Sequence, residues 1–154
     1  MKIKVYFDGA IDKNPGGTAY YGFYIIKDDK ILISRSGYVG HGELMSNNVA
    51  EHAAVISAMQ YLKINGLNEE EIVFYGDSLM VCNQMTNKGA ENKKGLYVGY
   101  FKRAKMLKVD FPNIKFQWIP REQNYVADAL SKNTKIFEEH LENNNKFHEQ
   151  LIAF

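Results

Sequence analysis

The stretch KVYFDGAIDKNPGG, residues 4–17, predicts a strand that runs into a turn. Apolar side chains alternate with lysine and tyrosine over residues 2–7, which is the period of a half-buried strand. Asp8 follows at once, and a glycine and an Asn-Pro-Gly-Gly turn come after it. Taken alone, the stretch allows two interpretations of Asp8, a solvent-facing strand end or one ligand of a metal site.

Two further strands are predicted directly after this turn. Residues 18–26 (TAYYGFYII) are rich in aromatic and β-branched side chains, and residues 31–40 (ILISRSGYVG) continue the pattern after the polar turn KDDK. Three strands joined by short turns predict an antiparallel meander.

The rest of the chain alternates helices with two short strands. SNNVAEHAAVISAMQYLKING has helical spacing, with Ser46 or an adjacent Asn as its cap and Gly66 as its end. The apolar run at 70–77 follows this long helix and predicts a buried parallel strand, and residues 113–119 predict the last strand. Further helices are predicted over residues 78–86, 96–108 and, after Pro120, NYVADALSK.

The element order βββ-α-β-α-α-β-α predicts an α/β fold with a five-stranded mixed sheet, three antiparallel strands followed by two parallel ones, and helices on both faces. Residues 1–132 are assigned to this one domain. Residues 133–154 mix apolar positions with an Asn run, so we interpret them as a C-terminal helical appendage of unknown role.

Composition narrows the class of protein. The chain of 154 residues has 19 basic and 18 acidic side chains, so its net charge of +1 gives no whole-molecule attraction to nucleic acid or anionic lipid. The lone Cys82 forms no intrachain disulfide, no secretory leader pattern opens the chain, and its apolar runs are far below the roughly 18 residues of a membrane span. We therefore expect a cytoplasmic monomer without membrane association.

Three acids share a position relative to the predicted sheet. Asp8 and Asp77 each end a strand, and Glu51 lies near the start of the intervening helix. The crevice at the carboxyl ends of strands is where α/β proteins usually bind ligands. Carboxylates gathered there repel one another unless a cation neutralises them, and oxygen ligands favour Mg²⁺ or Mn²⁺.

Four motifs follow one another along residues 2–132. They are an Asp-Gly pair with an Asn-Pro-Gly turn (Asp8, Asn14), SNNVAE (Asn47, Asn48, Glu51), YGDS (Asp77, Ser78) and NYVADAL (Asn124, Asp128). In order and spacing they resemble the type 1 ribonuclease H family. The resemblance implies the ribonuclease H-like fold and an endonuclease that hydrolyses the RNA strand of RNA/DNA hybrids.

The resemblance also implies a catalytic metal centre. Two Mg²⁺ ions, about 3.5–4 Å apart, clamp a scissile phosphate in such a mechanism, and Mn²⁺ is an alternative ion. Asp8 would bridge both ions, Glu51 and Asp77 would complete the shell of one, and Asp128 would hold the other. Cleavage would leave a 5′-phosphate and a 3′-hydroxyl.

Substrate contacts are implied at six positions. Side-chain amides can both donate to and accept from the 2′-hydroxyl that distinguishes RNA from DNA. The implied substrate-binding residues are Asn14, Asn47, Asn48, Ser78, Arg121 and Asn124. Alternatively, Asn48 caps the helix and Asn14 shapes the turn.

The segment before Asp128 departs from many family members, because WIPREQNYVAD is short and contains no histidine. It resembles a branch of the family that lacks the His-bearing loop, and Arg121 is the nearest substitute. A guanidinium is not a general base near neutral pH, so Arg121 would bind phosphate or assist product departure. The alternative is an ordinary surface arginine paired with an acid.

A basic segment at residues 88–108 has seven basic residues and one acidic residue. Tyr97, Tyr100 and Phe101 lie among the cations, so a strand of nucleic acid could pack there. A solvated helix face with its aromatic side chains in the core is the alternative.

Two other functions remain open from the sequence. One is a nucleic-acid-binding module on the same fold with weak or no catalysis, suggested by the absent His-bearing loop. The other is a nuclease that cuts double-stranded RNA or DNA, because loops define the substrate.

Overall fold

The computed structural model describes residues 2–86 and 95–132, and every structural statement below refers to these residues. The predicted appendage at 133–154 and most of the polar loop before residue 95 lie outside them. The strands are β1 Lys2–Ile11, β2 Thr18–Lys27, β3 Lys30–His41, β4 Glu71–Gly76 and β5 Ile114–Trp118. The helices are α1 Asn47–Ile64, α2 Leu79–Met85, α3 Val98–Lys108 and α4 Tyr125–Lys132, with a short 3-10 turn at Arg121–Gln123.

The five strands form one mixed sheet in the order β3-β2-β1-β4-β5. The pairs β1/β2 and β2/β3 are antiparallel, whereas β1/β4 and β4/β5 are parallel. The predicted fold class, with three antiparallel strands, two parallel ones and helices on both faces, is thereby confirmed.

The core lies between one face of the sheet and α1. Ile3, Val5 and Phe7 alternate along β1 and are fully buried against this helix. Ser46 caps α1 by accepting a hydrogen bond from the backbone of Val49 at 3.2 Å. No described helix is both long and apolar enough to cross a bilayer.

β1 is four residues longer than predicted, so Asp8 lies inside the strand. The cause is β2, which pairs with β1 as far as Ile11↔Ala19. The parallel pairing of β1 with β4 stops earlier, at Tyr6↔Tyr75. Asp8 and Asp77 therefore both lie just past the end of that parallel pairing, where the two strands open into a crevice.

Candidate active site

Three carboxylates meet in this crevice. Asp8 comes from β1, Glu51 from α1, and Asp77 from the residue after β4. One ligand oxygen from each lies within 4.8 Å of the others. Asp8 and Glu51 are both 4% exposed. The structure thus brings together three of the four acids that the sequence predicted as a site.

The glycine after Asp8 permits the approach of α1. A Cβ atom on Gly9 would lie 2.3 Å from the backbone nitrogen of Glu51 and 2.7 Å from the Ala50 side chain. Such distances are far inside van der Waals contact, so only glycine lets this helix come so close to β1. The Asp-Gly pair therefore supplies one acid and makes room for the second.

Asp128 reaches the site from the opposite face of the sheet on α4. Gly22 pairs with Asp8 in β2 and lets α4 approach the sheet closely, as Gly9 does for α1. A Cβ atom on Gly22 would lie 2.5 Å from the Ser131 nitrogen. The side-chain amide of Asn124 donates to the carbonyl of Phe7 at 2.9 Å and fixes the start of α4 against β1. These contacts place the fourth predicted acid at the same crevice.

The surroundings of the two interior acids oppose their ionisation. Burial raises the pKa of the Asp8 carboxyl to about 7, and the Asp77 charge acts in the same direction. Burial and the adjacent Asp8 raise the pKa of Glu51 well above its usual value. Oε2 of Glu51 is buried without a hydrogen-bond partner among the described residues. Ionising this pair therefore requires a compensating positive charge.

The pKa of Asp128 is shifted in the opposite direction, below its usual value. Partial burial alone would raise its pKa, but a hydrogen bond from Lys132, a second with Asp8 and the charges of Lys132 and Arg121 lower it. The Lys132 ammonium lies 3.0 Å from one Asp128 oxygen, and the Arg121 guanidinium lies 3.9 Å away. Asp8, Glu51 and Asp128 are close enough to affect one another's pKa, so they titrate together as one group.

The donor set fits a hard divalent cation. Every clustered ligand is a carboxylate oxygen, and the unpartnered Oε2 of Glu51 is a buried acceptor next to the other two acids. Oxygen ligands of this kind suit Mg²⁺ or Mn²⁺, whereas Zn²⁺ favours His and Cys. Asp8, Glu51 and Asp77 could hold such an ion, and Asp128 borders the same space.

A cleft of about 230 Å³ opens over these acids. It is lined by Asp8, Gly9, Ala10, Ile11, Asn47, Asp77, Arg121, Asp128 and Lys132. The predicted Asn47 and Arg121 thus face the cleft. Asn14 accepts a hydrogen bond from the backbone of Asn47 at 3.1 Å, so the β1–β2 turn adjoins the start of α1.

The remaining amide and hydroxyl residues have local structural roles in addition to any contact with substrate. Ser78 caps α2 by accepting from the Val81 nitrogen at 3.3 Å. Asn48 is part-buried within α1, and Ser46 caps the helix in its place. Asn124 is only 1% exposed, so its side chain positions α4 and has no surface for the substrate contact predicted for it.

Over its described residues the basic segment takes the alternative form, a solvated helix face with aromatic side chains in the core. Tyr97 and Phe101 are 5% and 4% exposed and belong to the core, so neither offers a packing surface to nucleic acid. Lys102 and Arg103 are exposed on α3. The nucleic-acid interface predicted here is therefore limited, among the described residues, to the cationic face of the helix. Lys88, Lys93 and Lys94 lie outside the described residues.

Two further groups lie beside the site, Lys132, which sequence reasoning missed, and His52. Lys132 pairs with Asp128 at the i, i+4 helical spacing, which was the available signal. His52 is fully buried next to Glu51, with Nδ1 2.7 Å from the Asn48 carbonyl and Nε2 3.2 Å from Gln84 Oε1. Burial lowers the pKa of His52, and its contact with Gln84 links α1 to α2. Its partner Gln84 carries no sequence signal.

The chain is similar to known proteins over most of its length. The reverse transcriptase-like family model matches residues 7–134. The ribonuclease HI of Halobacterium salinarum is 31% identical over 131 residues, which cover 84% of this chain and 62% of that protein. The bifunctional protein Rv2228c of Mycobacterium tuberculosis is 28% identical over 132 residues, 85% of this chain and 35% of its own length. The chain thus spans less than two thirds of both curated relatives.

Solved structures share the fold over most of their length. The crystal structure of ribonuclease H1 from Halobacterium salinarum has a TM-score of 0.75 and 29% identity, covering 86% of this chain and 96% of that one. LC11 ribonuclease H1, solved in complex with an RNA/DNA hybrid, has a TM-score of 0.74 and 32% identity, covering 83% and 92% of the two chains.

Proposed function

The chain belongs to the type 1 ribonuclease H family, and from this premise we propose that it is a metal-dependent endonuclease that hydrolyses the RNA strand of RNA/DNA hybrids. The observation that carries the proposal is the cluster of Asp8, Glu51 and Asp77 within 4.8 Å, at the base of an open cleft that Asp128 also lines. Two acids buried there with raised pKa values form a site whose charge suits a bound cation.

Divalent ions held by these acids would supply water activation and stabilisation of the departing 3′ oxygen, with Mg²⁺ as the favoured ion and Mn²⁺ as an alternative. We propose two such ions, with Asp8 shared between them, Glu51 and Asp77 on one and Asp128 on the other. The products would then be a 5′-phosphate and a 3′-hydroxyl.

The chain's own residues bind and orient the substrate. Arg121 is 71% exposed at the cleft, where its guanidinium can donate hydrogen bonds to a phosphate oxygen of the nucleic acid. Asn47 lines the same cleft and, with Asn14 and Asn48 nearby, offers amides to the 2′-hydroxyls of an RNA strand. A relative of known structure binds an RNA/DNA hybrid, which supports this choice of substrate.

The test compares wild type with Asp8→Asn on end-labelled RNA/DNA hybrid, double-stranded RNA and double-stranded DNA, each with Mg²⁺, Mn²⁺ or EDTA. We expect metal-dependent cutting of the hybrid by wild type and at least a 100-fold loss in the variant, beyond the ~10–100-fold typical of residues that only support metal ligands. Asp12→Asn is the matched control, because Asp12 lies in the exposed turn outside the cleft.

Other outcomes separate the alternative functions. Binding of hybrid without cleavage in either metal would contradict the proposal and favour a binding module. Faster cleavage of double-stranded RNA or DNA than of hybrid would assign another substrate. Mapping the product ends tests the phosphate position independently, since a 3′-phosphate product is incompatible with the proposed chemistry.

A further inference from the structure

Trp118 is the only tryptophan of the chain and lies beside the acid cluster without being part of it. It ends β5, the neighbour of β4 in the sheet, and is 47% exposed. Its indole nitrogen donates to the backbone carbonyl of Asp77 at 3.2 Å. A large aromatic ring is therefore both attached to a site residue and open to solvent.

Two residues at the end of β5 donate hydrogen bonds to two successive backbone carbonyls at the end of β4. The Ile119 nitrogen donates to the Gly76 carbonyl at 2.9 Å, and Trp118 donates to the next carbonyl, that of Asp77. Ser78 caps α2 immediately afterwards. Asp77 is thus the link between a strand end and a helix start, and the indole N–H restrains its backbone from the side of β5.

Trp118 does not line the cleft itself, and its ring adjoins the site through the hydrogen bond to Asp77. Leu79, two residues after Asp77, is also exposed, at 57%. A duplex bound over the acids would extend beyond the 230 Å³ cleft onto the neighbouring surface. Aromatic rings at such a position stack on bases or pack on sugars with little dependence on sequence.

We propose that Trp118 has two roles in the reaction, as a positioning residue that fixes Asp77 through its N–H and as a contact for the nucleic-acid substrate through its exposed ring. The inference rests on the proposed function and adds a residue that the family motifs along this chain do not contain. Each role depends on a different part of the same side chain, so two substitutions separate them.

Trp118→Phe retains an aromatic ring and removes the N–H. We expect the Mg²⁺ concentration for half-maximal cleavage to rise about tenfold, within the ~10–100-fold range of groups that orient metal ligands, with the KM for hybrid changed less than twofold. Trp118→Leu removes the ring as well, and we expect its KM to rise about tenfold above that of Trp118→Phe. Thermal unfolding of both variants serves as the control. A purely structural role of Trp118 would lower the melting temperature without changing the Mg²⁺ concentration for half-maximal cleavage.

Fluorescence of the single tryptophan tests the contact without turnover. In the Asp8→Asn background, adding a 12-base-pair RNA/DNA hybrid should shift the emission and protect Trp118 from quenching by acrylamide. An unchanged Mg²⁺ requirement in Trp118→Phe overturns the positioning role. The contact role is overturned if Trp118→Leu has the same KM as Trp118→Phe and the hybrid does not change the acrylamide quenching of Trp118. If wild type cuts hybrid while both results are negative, this inference fails alone. If wild type cuts no hybrid, the proposed function fails, and the quenching experiment still decides whether the ring contacts nucleic acid.

Discussion

Two helices bring acids to β1 from opposite faces of the sheet, and they do so in different environments. Twelve of the 18 residues of α1 are buried, and its Glu51 is enclosed with Asp8. Only Ala127 and Ser131 are buried in the eight residues of α4, whose Asp128 pairs with Lys132. The α1 half of the site therefore depends on a bound cation for its charge balance, whereas the α4 half already has cationic side chains.

The first prediction concerns variants in which one acid on each helix is replaced by its neutral amide. We expect Glu51→Gln and Asp128→Asn each to lower hybrid cleavage by at least about 100-fold, since both remove a proposed metal ligand. Their effects on stability should differ in EDTA at pH 7.5. Glu51→Gln replaces a buried carboxyl, whose ionisation burial and Asp8 oppose, by a neutral amide, and it should raise the melting temperature, whereas Asp128→Asn loses the attraction to Lys132 and should not raise it.

Calorimetry or fluorescence-monitored unfolding measures the melting temperatures of both variants in EDTA. A second series measures how the melting temperature changes with added Mg²⁺. Wild type should gain stability with added Mg²⁺, because an ion that binds only the folded state stabilises it. Glu51→Gln should gain much less. Equal stabilisation of both single variants in EDTA would contradict the distinction between the two halves.

The second prediction concerns pH. The pKa of Asp8 is raised to about 7 from an ordinary 3.8, so the folded state holds a proton that the unfolded state releases. Stability in EDTA is therefore highest at low pH with respect to this group and falls as pH rises through about 7. The lowered pKa of His52 has the opposite effect and makes the protein less stable as pH falls. This effect is confined to pH values below about 6.5, the ordinary pKa of histidine. Unfolding measured between pH 6.5 and 8 isolates the carboxyl contribution.

Asp8→Asn is the control for this slope and should flatten it. Saturating Mg²⁺ should flatten it as well, since metal binding displaces the protons. A stability of wild type that stays as flat as that of Asp8→Asn over this interval in EDTA would show that Asp8 is already ionised in the folded protein.

The sequence predicted most of this architecture because its signals are local. Alternation along β1 and the Ser cap of α1 were sufficient for the elements, and the four acids were recognised from short motifs. The errors came from pairing and packing between distant segments. β2 extends β1 past Asp8, Asn124 turns inward to Phe7, and Tyr97 and Phe101 enter the core. None of these contacts has a periodic signature in the chain.

The third prediction uses the two glycines that permit close approach of the helices. Gly9→Ala and Gly22→Ala each force a Cβ atom to within 2.5 Å of helix backbone, which should cost about 1–3 kcal/mol. Because α1 is anchored by its buried face, Gly9→Ala should lower the free energy of unfolding more than Gly22→Ala. The short α4 can shift instead, so Gly22→Ala should lose activity with a smaller loss of stability.

Gly99→Ala is the matched control, since a Cβ atom there meets no atom within 4 Å, and its stability should not fall. Denaturant unfolding and hybrid cleavage are measured on all three variants. Larger destabilisation by Gly22→Ala than by Gly9→Ala would show that α4 is the more firmly held helix.

The smallest expected effect is that of Lys132→Met, which tests whether side-chain cations set the charge balance of the α4 half. The Lys132 ammonium competes with a bound ion for Asp128, 3.0 Å away. Removing it should lower the Mg²⁺ concentration for half-maximal cleavage by about two- to fivefold, the range expected for an exposed ion pair, and should change stability by less than about 0.5 kcal/mol. Lys102→Met, at an exposed site on α3, controls for loss of general positive charge. An unchanged or higher Mg²⁺ requirement would mean that Lys132 does not offset the Asp128 charge, and the two halves would then differ in burial alone.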